Sequence, residues 1–283
     1  KLSERCAVLF CFDSQTTRKE ISPEYKSQRT PNPDVFIQKE MLLEICQRVQ
    51  IPYLKLDGYE ADDLISAVVH ANYTKFAEIE IITGDTDIAS NLLSDRIKIT
   101  GSASIYPNIT VRDYQFAISK SHLVEYNQIL PYYFCFGKPS NHVPPLKSST
   151  AACQEVYNDF VRVCEERNIA PAFRSEMSTF ATWLLAKMEH GELSDAEVDA
   201  YFSRAQLVYP REVEDPAQIS FKLPGPKELC ISELKKVLKI YELYRIANIY
   251  HFEDVTSISP IPRDMLNNLM HWKTIYEGGG QLV

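Results

Sequence analysis

Six carboxylates sit where a sequence can do chemistry. Asp13 closes the apolar run from Cys6 to Phe12. Glu60, Asp62 and Asp63 open a helical pattern just after Gly58, and Asp85 and Asp87 follow the apolar run from Ile79 to Thr83. In an open parallel α/β sheet the carboxyl ends of the strands share one edge, and ligands bind there. Acids at three strand ends are therefore expected to converge on one cleft. Six carboxylates in one place repel one another unless cations neutralise them. Hard oxygen ligands of this kind suit Mg²⁺ or Mn²⁺.

A second group is cationic. Arg18, Lys19, Lys26 and Arg29 interleave with Tyr25, a composition that can grip phosphates and stack on a base. Metal ions that activate water, beside cations that hold a phosphate backbone, make a phosphodiesterase. Each acid alone has a plainer reading, because acids at a helix start favour its dipole and aspartate in a turn is ordinary. Three clusters at three strand ends make the convergent reading the stronger one.

The elements that must position these residues read as follows. Strands are expected at 6–12, 52–56, 79–83 and 96–100, the first apolar enough for burial on both faces and the third buried. A helix capped by Asp34 runs to about Gln50, another starts near Glu60, and a short one ends at Leu93. Alternation of this kind predicts an α/β fold with a mainly parallel sheet. From about Val111 helices are expected at 111–119, 122–135, 149–168, 172–190, 194–206, 229–250 and 262–276. Prolines at 210, 216, 224 and 226 mark 209–227 as a loop or linker. The amphipathic stretch 229–250 is read as core, with a partner-binding face as the minor reading.

Composition narrows the function classes. Only 9 of 283 residues are glycine, and three of them are Gly278, Gly279 and Gly280. Before that tail there is no G-x-G and no G-x-x-x-x-G-K, which excludes a Rossmann dinucleotide turn and a P-loop. A net charge of −8 argues against coating nucleic acid through overall positive charge. The 7 cysteines form no C-x-x-C pair, so buried thiols in a reducing intracellular compartment, cytoplasmic in a bacterial or phage-infected cell, are expected rather than a zinc site. No apolar run approaches the ~18–20 residues that span a bilayer, and no signal peptide is visible.

Phe12-Asp13, Arg18-Lys19-Glu20 and Pro23-Glu24-Tyr25-Lys26-Ser27-Gln28-Arg29 together resemble the basic arch-base motif of the 5′-nuclease family. That family comprises flap endonucleases, the 5′-to-3′ exonuclease domain of bacterial DNA polymerase I and phage 5′ exonucleases. Gly58-Tyr59-Glu60-Ala61-Asp62-Asp63 is similar to its E-A-D-D helix start, and Gly84-Asp85-Thr86-Asp87 to its G-D-x-D strand end. The resemblance covers roughly residues 6–146. It implies a PIN-like α/β domain with a helical arch over 1–146, its first strand missing, followed by an all-helical region over 147–283. It implies metal-dependent hydrolysis of phosphodiesters at 5′ ends or flaps of DNA, or in RNA primers, during replication or repair. Asp13, Glu60 and Asp62 would hold one metal, with Asp63 the weakest candidate. Asp85 and Asp87 would sit toward a second, and Arg18, Lys19, Tyr25, Lys26 and Arg29 would face nucleic acid.

The sequence departs from the family pattern in three places. A metal-binding aspartate expected upstream of Asp13 is not within the sequence. Where the family carries two further aspartates stand Lys138 and Asn141, so one tight Mg²⁺ or Mn²⁺ site is expected and the second loses most of its charge compensation. Lys138 is expected to place its ammonium where that second metal would sit. His142 is read as replacing a structural asparagine rather than as a base. The hairpin Val143 to Ser149 lacks the glycines that let backbone amides approach a phosphate. Hence the alternative: a catalytically degenerate homologue that binds nucleic acid, or a protein partner through its helical region. An unrelated PIN-like ribonuclease is the remaining reading.

Overall fold

The computed structural model describes residues 8–30, 33–49, 51–85, 87–100, 109–110, 115–119, 122–125, 128–170, 173–174 and 176–219. The expected helices at 229–250 and 262–276 lie outside the described residues. The chain divides into two units. One comprises residues 1–12, 30–55 and 220–283; the other comprises 13–29 and 56–219. This division runs differently from the expected cut after residue 146.

In the first unit, β1 (Phe10–Cys11) pairs in parallel with β2 (Tyr53–Leu54), Phe10 opposite Tyr53 and Cys11 opposite Leu54. The helix α2 (Pro33–Val49) connects them. The ladder continues through the Phe12 N–H, which donates to the Leu54 carbonyl at 2.9 Å. This strand–helix–strand order is the parallel unit that the sequence pattern predicts. Both strands are shorter than expected.

The second unit holds α1 (Arg18–Ile21), α3 (Ala61–Asn72), β3 (Ile79–Ile82), β4 (Ile97–Thr100) and β5 (Ile109–Thr110). β3 and β4 are parallel, and β5 adds an antiparallel edge that the sequence reading missed. Burial along β3 alternates: Ile81 is buried whereas Ile82 is 78% exposed. The expectation of a buried strand at 79–83 therefore fails for one face of β3. The sequence Ile-Glu-Ile-Ile already contained that signal in Glu80.

The clearest correction follows. Helices were expected over 111–119 and 122–135, but β6 (Gln115–Ser119) and β7 (His122–Glu125) form an antiparallel hairpin. Ser119 pairs with His122 across two connecting residues, Phe116 with Val124, and Ala117 with Leu123. Two-residue connections between β-rich runs are hairpin signals, and register overrides a short helical period. The helix α4 (Ile129–Phe136) starts only afterwards.

α5 (Thr150–Glu166), α6 (Met177–Glu189) and α7 (Asp195–Val208) follow, each starting close to expectation except α6, which begins five residues late. Ser149 caps α5 by accepting from the Ala152 N–H at 3.2 Å, and the Ser194 to Glu197 pair forms a capping box on α7. α4 packs into these helices through an aromatic cluster of Phe134, Phe160, Phe180, Trp183, Tyr201 and Tyr209, all buried. The Trp183 and Tyr201 rings stack at 6.1 Å, and Trp183 Nε1 donates to Asp159 Oδ2 at 2.9 Å. Each of these rings contributes about 1.5–3 kcal/mol of burial. The same core takes in Ile81, Ile97 and Ile99 of the sheet and Val69 of α3. No helix among the described residues is long and apolar enough to cross a membrane.

Candidate active-site cleft

The start of α3 sets the site. Gly58 has φ +86, a conformation that L side chains rarely adopt, and it turns the chain into the helix. Glu60 follows in extended backbone, and its N–H donates to Asp63 Oδ2 at 2.8 Å. Asp13 Oδ1 accepts from the Ala61 N–H at 2.8 Å. These carboxylates satisfy N–H groups that the first helical turn leaves unpaired, and they complement the positive end of its dipole. The Glu-Ala-Asp-Asp run thereby divides its acids. Asp63 points into the protein, while Asp62 lines an open cleft.

Arg18 is the counter-charge on the inner side. It is 3% exposed. Its Nη1 donates to Glu60 Oε2 at 2.6 Å and its Nη2 to Asp63 Oδ1 at 2.6 Å. Nε and Nη2 also reach the carbonyls of Gln206 and Tyr209, both at 3.0 Å. Asp63, fully buried, accepts further from the Arg211 N–H at 2.8 Å. The Arg211 guanidinium donates to Gly58 O at 2.8 Å and to Thr17 Oγ1, and lies 4.9 Å from the centre of the Tyr59 ring. The chain after α7 thus clamps α1 to the start of α3. Sequence reasoning missed Gln206, Tyr209 and Arg211, because two of them act through backbone carbonyls that carry no residue signature.

The cleft, open to solvent, is lined by Asp62, Asp85, Asp87, Lys26, Arg29 and Lys138 together with the buried Arg18, Tyr25, Glu60, Asp63 and Asn141. Lys26 Nζ holds Glu60 Oε1 at 2.8 Å, and Tyr25 donates its hydroxyl to Glu60 Oε2 at 3.2 Å. Asn141, itself buried, ties the two loops together. Its carbonyl accepts from the Lys26 N–H at 3.3 Å, and its Oδ1 accepts from Arg29 Nη2 at 3.0 Å. Across the cleft, Lys138 pairs with the Asp87 carboxylate. Asp85 Oδ1 accepts from the Asp87 N–H at 3.1 Å, which starts the 3₁₀ turn Asp87–Asn91.

The predicted residues therefore separate. Asp62, Asp85, Asp87, Lys26 and Arg29 share the cleft, whereas Asp13 is not among its lining residues and accepts from the start of α3. Three expectations are corrected. Arg18 was expected to steer phosphates, but it is buried and saturated by protein acceptors. Tyr25 was expected to stack on a base, but it is 2% exposed, with Lys26 Nζ 5.1 Å from its ring centre. Asp63 was offered as a metal ligand, but it is enclosed by Arg18 and two backbone N–H groups. Lys19 is exposed on α1 and is not among the residues lining the cleft. His142 sits at φ +58, a left-handed conformation that histidine and asparagine tolerate, in keeping with its reading as a replacement for asparagine.

Electrostatics distinguish the acids. Burial pushes the Asp62 carboxyl up to about 6, reinforced by Asp85, Asp13 and Glu60 and opposed by Lys26. Burial acts in the same direction on Glu60, but Arg18 and Lys26 outweigh it and hold Glu60 below the usual carboxylate range. Burial also holds the Lys138 ammonium down to about 8, against the pull of Asp85 and Asp62. As placed, no three acids, histidines or cysteines among the described residues stand close enough together to hold a metal. Like charges crowd where Asp85 and Asp13 act on Asp62, an arrangement that a hard divalent ion would relieve. At Asp87 an ammonium already stands.

Residues 1–119 match the family described as 5′-3′ exonuclease, N-terminal resolvase-like domain. The DNA polymerase I of Caldicellulosiruptor bescii is 32% identical over 144 residues, which is 50% of this chain and 17% of that protein. The 5′-3′ exonuclease of Aquifex aeolicus is 33% identical over 93 residues, 32% of each chain. The chain thus spans a third or less of these curated relatives. Among solved structures, the T5 5′-exonuclease with bound zinc aligns with a TM-score of 0.42 at 15% identity over 71% of this chain and 83% of that one. A bacteriophage T5 flap endonuclease variant, solved as a pseudo-enzyme–product complex with DNA and metal ions, aligns with a TM-score of 0.44 at 17% identity over 83% and 84%.

Two outcomes test the cleft. Arg18→Ala leaves Asp63 buried without its partner, so urea denaturation should show a loss of about 3–5 kcal/mol. Full stability with weakened DNA binding would return Arg18 to a phosphate role. In the metal-free protein Asp62 should titrate near pH 6 by carboxyl ¹³C NMR, and its midpoint should fall in Asp85→Asn, which removes one like charge. Its folded pKa lies above the ordinary value of about 4. Its ionisation therefore opposes folding, and stability is lost as pH rises from about 4 to about 6. An unchanged midpoint in Asp85→Asn would contradict the coupling.

Proposed function

We propose, from the match of residues 1–119 to the 5′-3′ exonuclease N-terminal domain family, that the chain is a metal-dependent 5′-to-3′ nuclease acting on the 5′ ends or flaps of DNA, or on RNA primers, in replication or repair. One observation carries this reading: a single cleft presents Asp62 and Asp85 beside Lys26 and Arg29. A phosphodiester is an anion whose hydrolysis adds charge in the transition state, and a cleft that combines metal-seeking carboxylates with cations suits it.

The chain's own groups divide the work. Arg29 is exposed at the cleft and Lys26 half-buried, so both can meet a phosphate backbone from the arch-base loop. Asn141 orients this loop through the Lys26 N–H and the Arg29 guanidinium. Arg18 and Tyr25 hold Glu60 from beneath. Asp13, Asp62 and Asp85 would hold Mg²⁺ or Mn²⁺, which when bound supplies charge neutralisation and an activated water. The described helical region α5 to α7 supports the cleft through the chain following α7.

A second reading is favoured by the Lys138–Asp87 pair, which neutralises an acid that a two-metal site would use. In that reading the chain binds nucleic acid without cutting it, and its helical region serves a protein partner.

Incubation of the protein with a 5′-flap DNA in Mg²⁺ or Mn²⁺ separates the two. The first reading predicts cleavage, reduced at least ~100-fold in Asp62→Asn. Absence of cleavage with retained flap binding would establish the second, and equal cleavage by the variant would remove Asp62 from the chemistry.

A further inference from the structure

Lys138 occupies an unusual position for a lysine. Its side chain is 13% exposed and that of Asp87 15%. The turn that carries it is rigid. Gly137 adopts φ +85, and a Cβ there would lie 2.5 Å from the Val143 carbonyl oxygen, so only glycine fits. The Lys138 N–H donates to Val143 O at 2.8 Å, and its carbonyl accepts from the Asn141 N–H at 3.0 Å and the Val143 N–H at 3.2 Å. Four residues upstream of that glycine, the Tyr133 ring lies 5.4 Å from the ammonium and adds a cation–π contact. Backbone and ring both aim the charge at the Asp87 end of the cleft.

The charge of the whole cleft agrees. Among its described lining residues five carboxylates, Glu60, Asp62, Asp63, Asp85 and Asp87, face four cations, Arg18, Lys26, Arg29 and Lys138. A site that collects two divalent ions needs a large excess of negative charge, and this one has little. A tethered lysine stands beside Asp87 whatever the metal concentration. A divalent ion entering beside it meets repulsion as well as a lost ion pair.

We propose that the Lys138 ammonium is a built-in cation standing in place of a divalent ion at Asp85 and Asp87, so that the cleft takes one divalent ion and not two. The proposal rests on the metal-dependent reading of the cleft, and the experiment separates the two. The chain of 283 residues is titrated with Mn²⁺, free ion being read by electron paramagnetic resonance. One Mn²⁺ per wild-type chain is expected. Lys138→Asp should bind one more, and Lys138→Met, which keeps length and removes charge, should gain a weaker one. Two Mn²⁺ in the wild type, or no gain in either variant, would overturn the role of Lys138. No Mn²⁺ in the wild type with a gain in Lys138→Asp would keep Lys138 as the stand-in cation and remove the metal-dependent function. Circular dichroism checks the variants, and should both unfold, the wild-type count alone decides: one supports the proposal, two overturns it.

Discussion

A folded chain cannot gather carboxylates in one cleft without counter-charge, because each pair at contact distance costs several kcal/mol where water is thinned. In this protein much of the counter-charge is covalent. Arg18 lies between Glu60 and Asp63, Lys26 holds the other oxygen of Glu60, and Lys138 holds Asp87. The remaining crowding falls on Asp62, whose carboxyl is held above the usual carboxylate range by burial first and by Asp85 second. The geometry of the cleft follows from where these cations are anchored.

The anchors come from distant parts of the chain. Arg18 would be an expensive buried charge without two carboxylates and the carbonyls of Gln206 and Tyr209. Those carbonyls are available because α7 ends at Val208 and Tyr209 is fixed in the aromatic core. Packing among Phe134, Phe180, Trp183 and Tyr201 therefore bears on the cleft, although none of these rings is among its lining residues. Helix stability in the second unit and charge placement at α3 are one problem rather than two.

Much of this was legible from sequence because carboxylates at strand ends and a Glu-Ala-Asp-Asp helix start are local patterns. Asp62, Asp85, Asp87, Lys26 and Arg29, picked out in the sequence, all line one cleft. What sequence could not reveal was direction. Arg18 and Arg29 look equally suited to a phosphate, but Arg18 is buried against Glu60 and Asp63 while Arg29 hangs from a loop braced by Asn141. Asp62 and Asp63 are neighbours on a helix start, but Asp63 is fully buried against Arg18 and Asp62 is not. Gln206 and Tyr209 contribute only backbone carbonyls, which every residue has. The β6–β7 hairpin was misread because short apolar runs fit both periods, and only pairing decides between them.

The central claim is that the cleft balances its carboxylates with its own lysines and arginines and leaves room for one divalent ion. Anomalous scattering from a crystal of the protein grown with Mn²⁺ tests it most directly. The account predicts one peak, beside Asp13, Asp62 and Asp85, with the Lys138 ammonium still on Asp87. A peak between Asp85 and Asp87 with Lys138 turned away would contradict it.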